Sequence, residues 1–124
     1  MIYRSLTLSI KDDVIRTSSK IVLFREDGNI EVSIGIQGLK YTFEGDKFEC
    51  SCVIKRPNGS FIFKDYLPVD DNKLIHLVFD KSMFDELQEC GTFYIQLSLH
   101  SDASHSDRIT LQPFSFEVEK QLAD

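Results

Sequence analysis

Three cysteines and three histidines are the residues of this chain best suited to chemistry: Cys50, Cys52, Cys90, His76, His100 and His105. Thiolate and imidazole are preferred zinc ligands, but zinc sites commonly draw on paired knuckles of the C-x₂₋₄-C kind. Cys50 and Cys52 instead form a single C-x-C with no matching pair. Two extended residues at that spacing hold their Cα atoms roughly 6.5–7 Å apart, at or beyond the reach of a disulfide. A nucleophilic Cys or Ser needs a base beside it and a third group to orient that base. His76 could approach Cys50 or Cys52, yet there is no G-x-S-x-G elbow, P-loop or G-x-G-x-x-G stretch. His100, Asp102 and His105 share one polar loop. Adjacent carboxylates such as the loop pairs Asp12-Asp13 and Asp70-Asp71 sit where solvation keeps their pKa values ordinary, and a turn role is preferred to calcium binding. We therefore expect no catalytic, metal or cofactor-binding residues and no cofactor. The chain reads as a non-enzyme.

The elements that carry these residues are strands. Ile30, Val32, Ile34 and Ile36 oppose Glu31, Ser33 and Gln37; Phe48, Cys50, Cys52 and Ile54 oppose Lys47, Glu49, Ser51 and Lys55. Period-two alternation puts successive side chains on opposite faces, as a half-buried strand requires. Cys50 and Cys52 thus read as core residues and Cys90 as a helix-end residue; a buried thiol behaves as a small hydrophobe. An odd number of cysteines that do not pair suits a reducing compartment during folding.

Residues 2–10 read as a first strand, with Ile2, Leu6, Leu8 and Ile10 on one face, and residues 11–19 as a polar loop. Ile21–Phe24 is a short strand ending at Asp27-Gly28-Asn29. After strand 30–37 and its breaker Gly38 come a short strand over 39–43 and a turn at 44–46. Strand 47–56 runs into Pro57-Asn58-Gly59, where Pro presets φ and Gly supplies positive φ, so the chain reverses into 60–66. Leu74–Phe79 is apolar on both faces, as a central strand would be. The one helical candidate is residues 82–89, capped by Ser82 or Asp80, with Met83, Phe84 and Leu87 on one side and Gly91 at the left-handed C-terminal position. Thr92–Leu99 alternates again, His100–Asp107 is a polar loop, and Ile109–Leu111 and Phe114–Val118 close the domain around Pro113. Eight or nine short strands with regular turns predict an all-β fold, an antiparallel immunoglobulin-like β-sandwich with one short helical turn near residues 82–89. The Cys…Trp…Cys pattern of antibody domains is missing, for there is no Trp.

Bulk properties narrow the function classes. The 124 residues make one domain, and ten Phe with four Tyr predict a phenylalanine-rich core. Net charge is −6, and the basic residues are scattered apart from an excess near the start (Arg4, Lys11, Arg16, Lys20, Arg25). Nucleic-acid binding, which rests on a basic patch, is not expected. No stretch approaches the ~18 apolar residues of a membrane helix, and residues 1–10 alternate instead of forming the apolar run of a signal peptide. A carbohydrate- or protein-binding adhesion module would expose aromatics in a row on one face; Tyr41, Tyr66 and Tyr94 are the candidates, with Tyr94 turned outward by its alternation.

From Ile30 onward the order of features resembles the N-terminal domain of phage baseplate upper proteins, tail-tip components of phages infecting Gram-positive bacteria. Arg25-Glu26-Asp27-Gly28 loosely matches the family's opening turn, and Val53-Ile54-Lys55-Arg56-Pro57-Asn58-Gly59-Ser60 its hairpin, with Asn for the usual Asp. Phe84-Asp85-Glu86-Leu87 leading to Gly91-Thr92-Phe93-Tyr94 matches its helical turn, and Thr110–Val118 its closing strand. The chain departs from the pattern at Gly38-Leu39-Lys40-Tyr41-Thr42 and in its two core cysteines. The resemblance implies a virion structural domain (residues 1–118) that anchors a receptor-binding device to the tail, with 119–124 the start of a linker or helical neck. It implies other tail and baseplate proteins as partners, the distal-tail ring and the receptor-binding protein among them, with no nucleic acid and no membrane. It leaves room for a homo-oligomer in the assembled virion, built in the bacterial host cytoplasm.

Overall fold

A computed structural model describes residues 1–12, 14–40, 43, 47–101 and 107–122. The fold is mostly β: strands β1 (Ile2–Lys11), β2 (Val14–Thr17), β3 (Ile21–Phe24), β4 (Ile30–Gln37), β5 (Glu49–Lys55), β6 (Phe61–Leu67), β7 (Ile75–Phe79), helix α1 (Lys81–Leu87), then β8 (Gly91–His100), β9 (Arg108–Thr110) and β10 (Phe114–Glu119). They form a four-stranded sheet in the order β2-β1-β4-β7 and a six-stranded sheet in the order β3-β10-β8-β5-β6, with β9 beside β8. The apolar side chains of both sheets meet in one core. Phenylalanines join the layers: Phe116 of β10 lies edge-on to Phe79 of β7 at 5.3 Å and stacks on Phe93 of β8 at 5.2 Å.

The sheets are mixed, not antiparallel as expected. β1 runs parallel to β4, from Ile2 opposite Ile30 to Ser9 opposite Gln37, and β3 runs parallel to β10. Alternation reports which face a side chain takes and is blind to strand direction. A parallel pair needs a crossover of a dozen or more residues; residues 12–29 supply one, leaving the first sheet after β2 and passing through the second as β3.

The stretch 11–19, expected to be a loop, contains β2, which folds back on β1 with Ile10 opposite Ile15 and Lys11 opposite Val14. Its turn begins at Asp12, in the left-handed region at φ 52°, a conformation that Asp tolerates. Only Ile15 of β2 is half-buried, so no apolar alternation marked it. β7, expected to be central, is an edge strand. Leu39, Lys40 and Phe43 of the expected strand 39–43 lie outside any strand; its remaining residues and the turn 44–46 fall outside the described residues.

The other local signals hold. Gly59 adopts φ 91° in the hairpin turn, its N–H donating to the Arg56 carbonyl (2.9 Å). Asp80, not Ser82, caps α1, its carboxylate accepting from the Met83 N–H at 2.8 Å. Gln88 at φ 69° takes the C-cap place expected of Gly91, while Gly91 at φ 134° opens β8. A Cβ on Gly91 would lie 2.9 Å from Pro57, so glycine lets the hairpin turn close onto β8.

Candidate functional site

The structure separates the residues that could have done chemistry together. Cys50 and Cys52 point inward from β5 and are buried. Burial pushes both thiols up to about 12, with Cys52 adding to the rise at Cys50 and Lys64 opposing it at Cys52, so neither is a nucleophile at neutral pH. Cys90 follows α1 and is half-buried. His76 stands between the buried Ile75 and Leu77 of β7 and so turns away from the core that holds Cys50 and Cys52; the approach it could have made to them does not occur. His100, expected in a loop, is the last residue of β8, buried, with Nδ1 3.9 Å from Glu49. Asp13, Tyr41, Asp102 and His105 fall outside the described residues. Among the described residues no group of three or more His, Cys, Asp or Glu side chains is placed to hold a metal.

His76 has a structural task. Its Nε2 is 2.8 Å from Asp70, and its Nδ1 is 3.4 Å from the Ser33 hydroxyl and 3.6 Å from Glu31. Ser, His and Asp are the types of a catalytic triad. Ser33, however, sits in the middle of regular strand β4, where its backbone is committed to the ladder and offers no oxyanion hole. Asp70 instead builds the turn before β7. Its Oδ1 accepts from the Leu74 and Asn72 N–H groups at 3.0 and 2.9 Å. The Leu74 N–H first, then His76, hold the Asp70 carboxyl below the usual carboxylate range; solvation was expected to leave it ordinary. This turn lays Val69 against Ile75 and lets the Pro68 carbonyl accept the His76 N–H at 2.9 Å. The edge of β7 is covered by its own chain at Ile75 and His76.

On the same flank of the molecule the six-stranded sheet ends at β6, and this edge is aromatic. Phe61 and Phe63 are 53% and 72% exposed, their rings 6.3 Å apart. Ile62, between them, faces the core opposite Ile54, so the two rings stand on the outer face of the sheet. Lys55 lies opposite both Phe61 and Tyr94, and Val53 opposite both Phe63 and Gln96. Tyr94, exposed as its alternation predicted, therefore completes a row Phe61–Lys55–Tyr94. Tyr66 is exposed as well. Sequence reasoning missed Phe61 and Phe63 because β6 is apolar on both faces at Phe61-Ile62-Phe63. Lys64 adds to the difficulty, for it shares the parity of the buried Ile62 yet is charged, its ammonium held by the α1 carboxylate of Glu86 (2.6 and 2.8 Å).

The β6 backbone is as open as its side chains. Arg56 N–H donates to the Ser60 carbonyl, which sets the alternation up to the irregularity after Lys64: Ser60, Ile62 and Lys64 bond toward β5, while Phe61 and Phe63 turn their N–H and C=O groups outward. Among the described residues only the Arg56 guanidinium reaches this outward row, at the Phe61 carbonyl (3.4 Å).

No family model and no curated protein matches the chain. Among solved structures the fold is similar to the N-terminal domain of phage TP901-1 ORF48, with a TM-score of 0.60 and 20% identity, covering 97% of this chain and 100% of that one. The resemblance to phage baseplate upper proteins, read from the hairpin and the closing strand, thus holds at the level of the fold.

Proposed function

We propose that the chain is a non-enzymatic virion component: the anchoring domain of a phage baseplate or tail-fibre protein, holding a receptor-binding device to the tail. The observation that carries this reading is the end-to-end likeness to the phage domain, with 97% of one chain aligned to all of the other. The outlines of the two domains coincide, which a shared sheet or hairpin alone would not produce. Protonated core thiols and a histidine committed to a turn suit a structural role. On this reading the packed sheets are a variant of the immunoglobulin-like architecture, residues 1–118 are the domain, and 119–124 lead toward a neck, Glu119 still pairing in β10. Its partners are the distal-tail ring and the receptor-binding protein, and its place is the virion tail, assembled in the host cytoplasm.

The test is the native mass, by light scattering, of this chain mixed with the distal-tail ring protein from the same genome. A complex of defined stoichiometry is expected. Failure to bind an assembled ring would overturn the adaptor role. A second reading, a carbohydrate- or protein-binding adhesion module, is favoured by the exposed Phe61, Phe63 and Tyr94. Retention on host cell-wall polysaccharide, without ring binding, would put it first.

A further inference from the structure

We propose that the open edge of β6 joins two copies of this chain, β6 of one pairing antiparallel with β6 of the other, so that the six-stranded sheets become one continuous sheet. This stands apart from the virion reading and can fail without it. Soluble proteins guard edge strands with proline, bulges, inward charges or a covering segment. Phe61–Lys64 contains no proline, and the irregularity in this hairpin lies beyond it, opposite the step between Cys50 and Cys52. Its one inward charge, Lys64, is neutralised by Glu86. β7, on the same flank, is covered at its first residues, Ile75 and His76, by Pro68–Asp70. β6 presents its outward backbone row beside exposed rings, with only the Phe61 carbonyl engaged among the described residues, by the Arg56 guanidinium at 3.4 Å.

Register arithmetic selects the second copy as the occupant. A two-fold pairing must join the residues whose N–H and C=O groups point outward in the regular part of the strand: Phe61 and Phe63. Centring the axis on Lys64 would set ammonium against ammonium. Centring it on Phe63 would set the Asp65 carboxylate against the Phe61 ring. Centring it on Ile62 places Phe61 opposite Phe63 of the second copy, and Phe63 opposite its Phe61. Ile62 then meets Ile62 on the core side, and Lys64 meets only Ser60. The Phe61–Phe63 pair exchanges both backbone hydrogen bonds on each side of the axis, and the four rings form one outer-face cluster, the kind of cross-strand aromatic pairing that stabilises sheets. At about 200 Å² per ring, the exposed portions of Phe61 and Phe63 amount to roughly 500 Å² over two copies. That is short of the about 1,200 Å² of a standard stable interface, so the dimer is weak and depends on concentration.

Sedimentation velocity over a concentration series of the whole chain tests this. The expected result is a mass that doubles with concentration, stays monomeric throughout for Phe63→Lys, and still doubles for Tyr94→Lys, which puts the same charge on the same face two strands from the edge. Circular dichroism checks that both variants fold. Hydrogen exchange on the unmodified chain gives a readout without substitutions: the Phe61 and Phe63 amides gain protection as concentration rises, and the Ile62 amide, already bonded to β5, does not. A chain that remains monomeric to its solubility limit overturns the proposal. So does association that survives Phe63→Lys and is lost with Tyr94→Lys. Binding of cell-wall polysaccharide or of a ring protein that requires Phe63, by a chain that never dimerises, assigns the row to that ligand instead.

Discussion

β6 and β7 end the two sheets on one flank, and the chain treats them in opposite ways. Three residues, Pro68 to Asp70, cover the start of β7 at Ile75 and His76, because the Asp70 carboxylate collects the Leu74 and Asn72 amides and the His76 ring in one turn. β6 receives no such cover and carries two phenylalanines in the open. Closing an edge is therefore inexpensive for this fold, and leaving one open next to apolar side chains marks a surface meant for another chain.

The sharpest test of the contrast is the same deletion on each strand. Phe79→Ala in β7 removes a ring that is 1% exposed and packs on Phe84 and Phe116. Urea unfolding should show a loss of about 3–5 kcal/mol. Phe63→Ala in β6 should change monomer stability by less than about 0.5 kcal/mol. Comparable losses at both strands would mean that β6 is packed too. Next in size, Asp70→Ala should lower the urea midpoint and speed hydrogen exchange at the His76 amide, converting β7 into an edge like β6; unchanged exchange there would show that Val69 holds the cover alone.

Acid should act on the same turn. The Asp70 carboxyl titrates lower in the folded chain than in the unfolded one, so the unfolded chain binds the proton more readily. The resulting stabilisation is present above the unfolded value of about 3.8 and is lost as pH falls through the lower folded value. Asp70→Asn should flatten the stability–pH curve in that window, as measured by denaturant midpoints at each pH. The smallest effect is expected from Glu86→Gln. The Lys64–Glu86 pair is partly exposed, so its loss should cost less than about 1 kcal/mol, but it frees an ammonium to guard β6 and should weaken self-association in the same sedimentation series.

The sequence carried the faces of the strands and little of their pairing. β4, β5 and the first part of β8 have one buried face each, and their alternation located Cys50, Cys52 and Tyr94 correctly. Local chemistry was equally legible in the Pro57-Asn58-Gly59 turn and in the Asp80 cap. The parallel pairs were hidden because alternation looks the same in either direction, and β2 because a short polar strand can hold its place through backbone bonds to β1 alone. The edge position of β7 was masked by its cover, which makes both faces apolar or half-buried. Phe61 and Phe63 escaped notice for a related reason. Where three consecutive residues are apolar, only the strand across, here Ile54 opposite Ile62, decides which ones turn inward.

The parallel pairing of β3 with β10 has a mechanical consequence. β10 lies between β3 and β8, paired to β3 from Phe116 to Glu119 and to β8 from Phe114 to Val118. A pull on Glu119 along the strand axis acts on both ladders in shear, so their hydrogen bonds share the tension and must give way together. A strand held on one side only, such as β6, can be peeled off one bond at a time. Tension applied at the C-terminal end of β10 thus meets the fold in its most resistant direction.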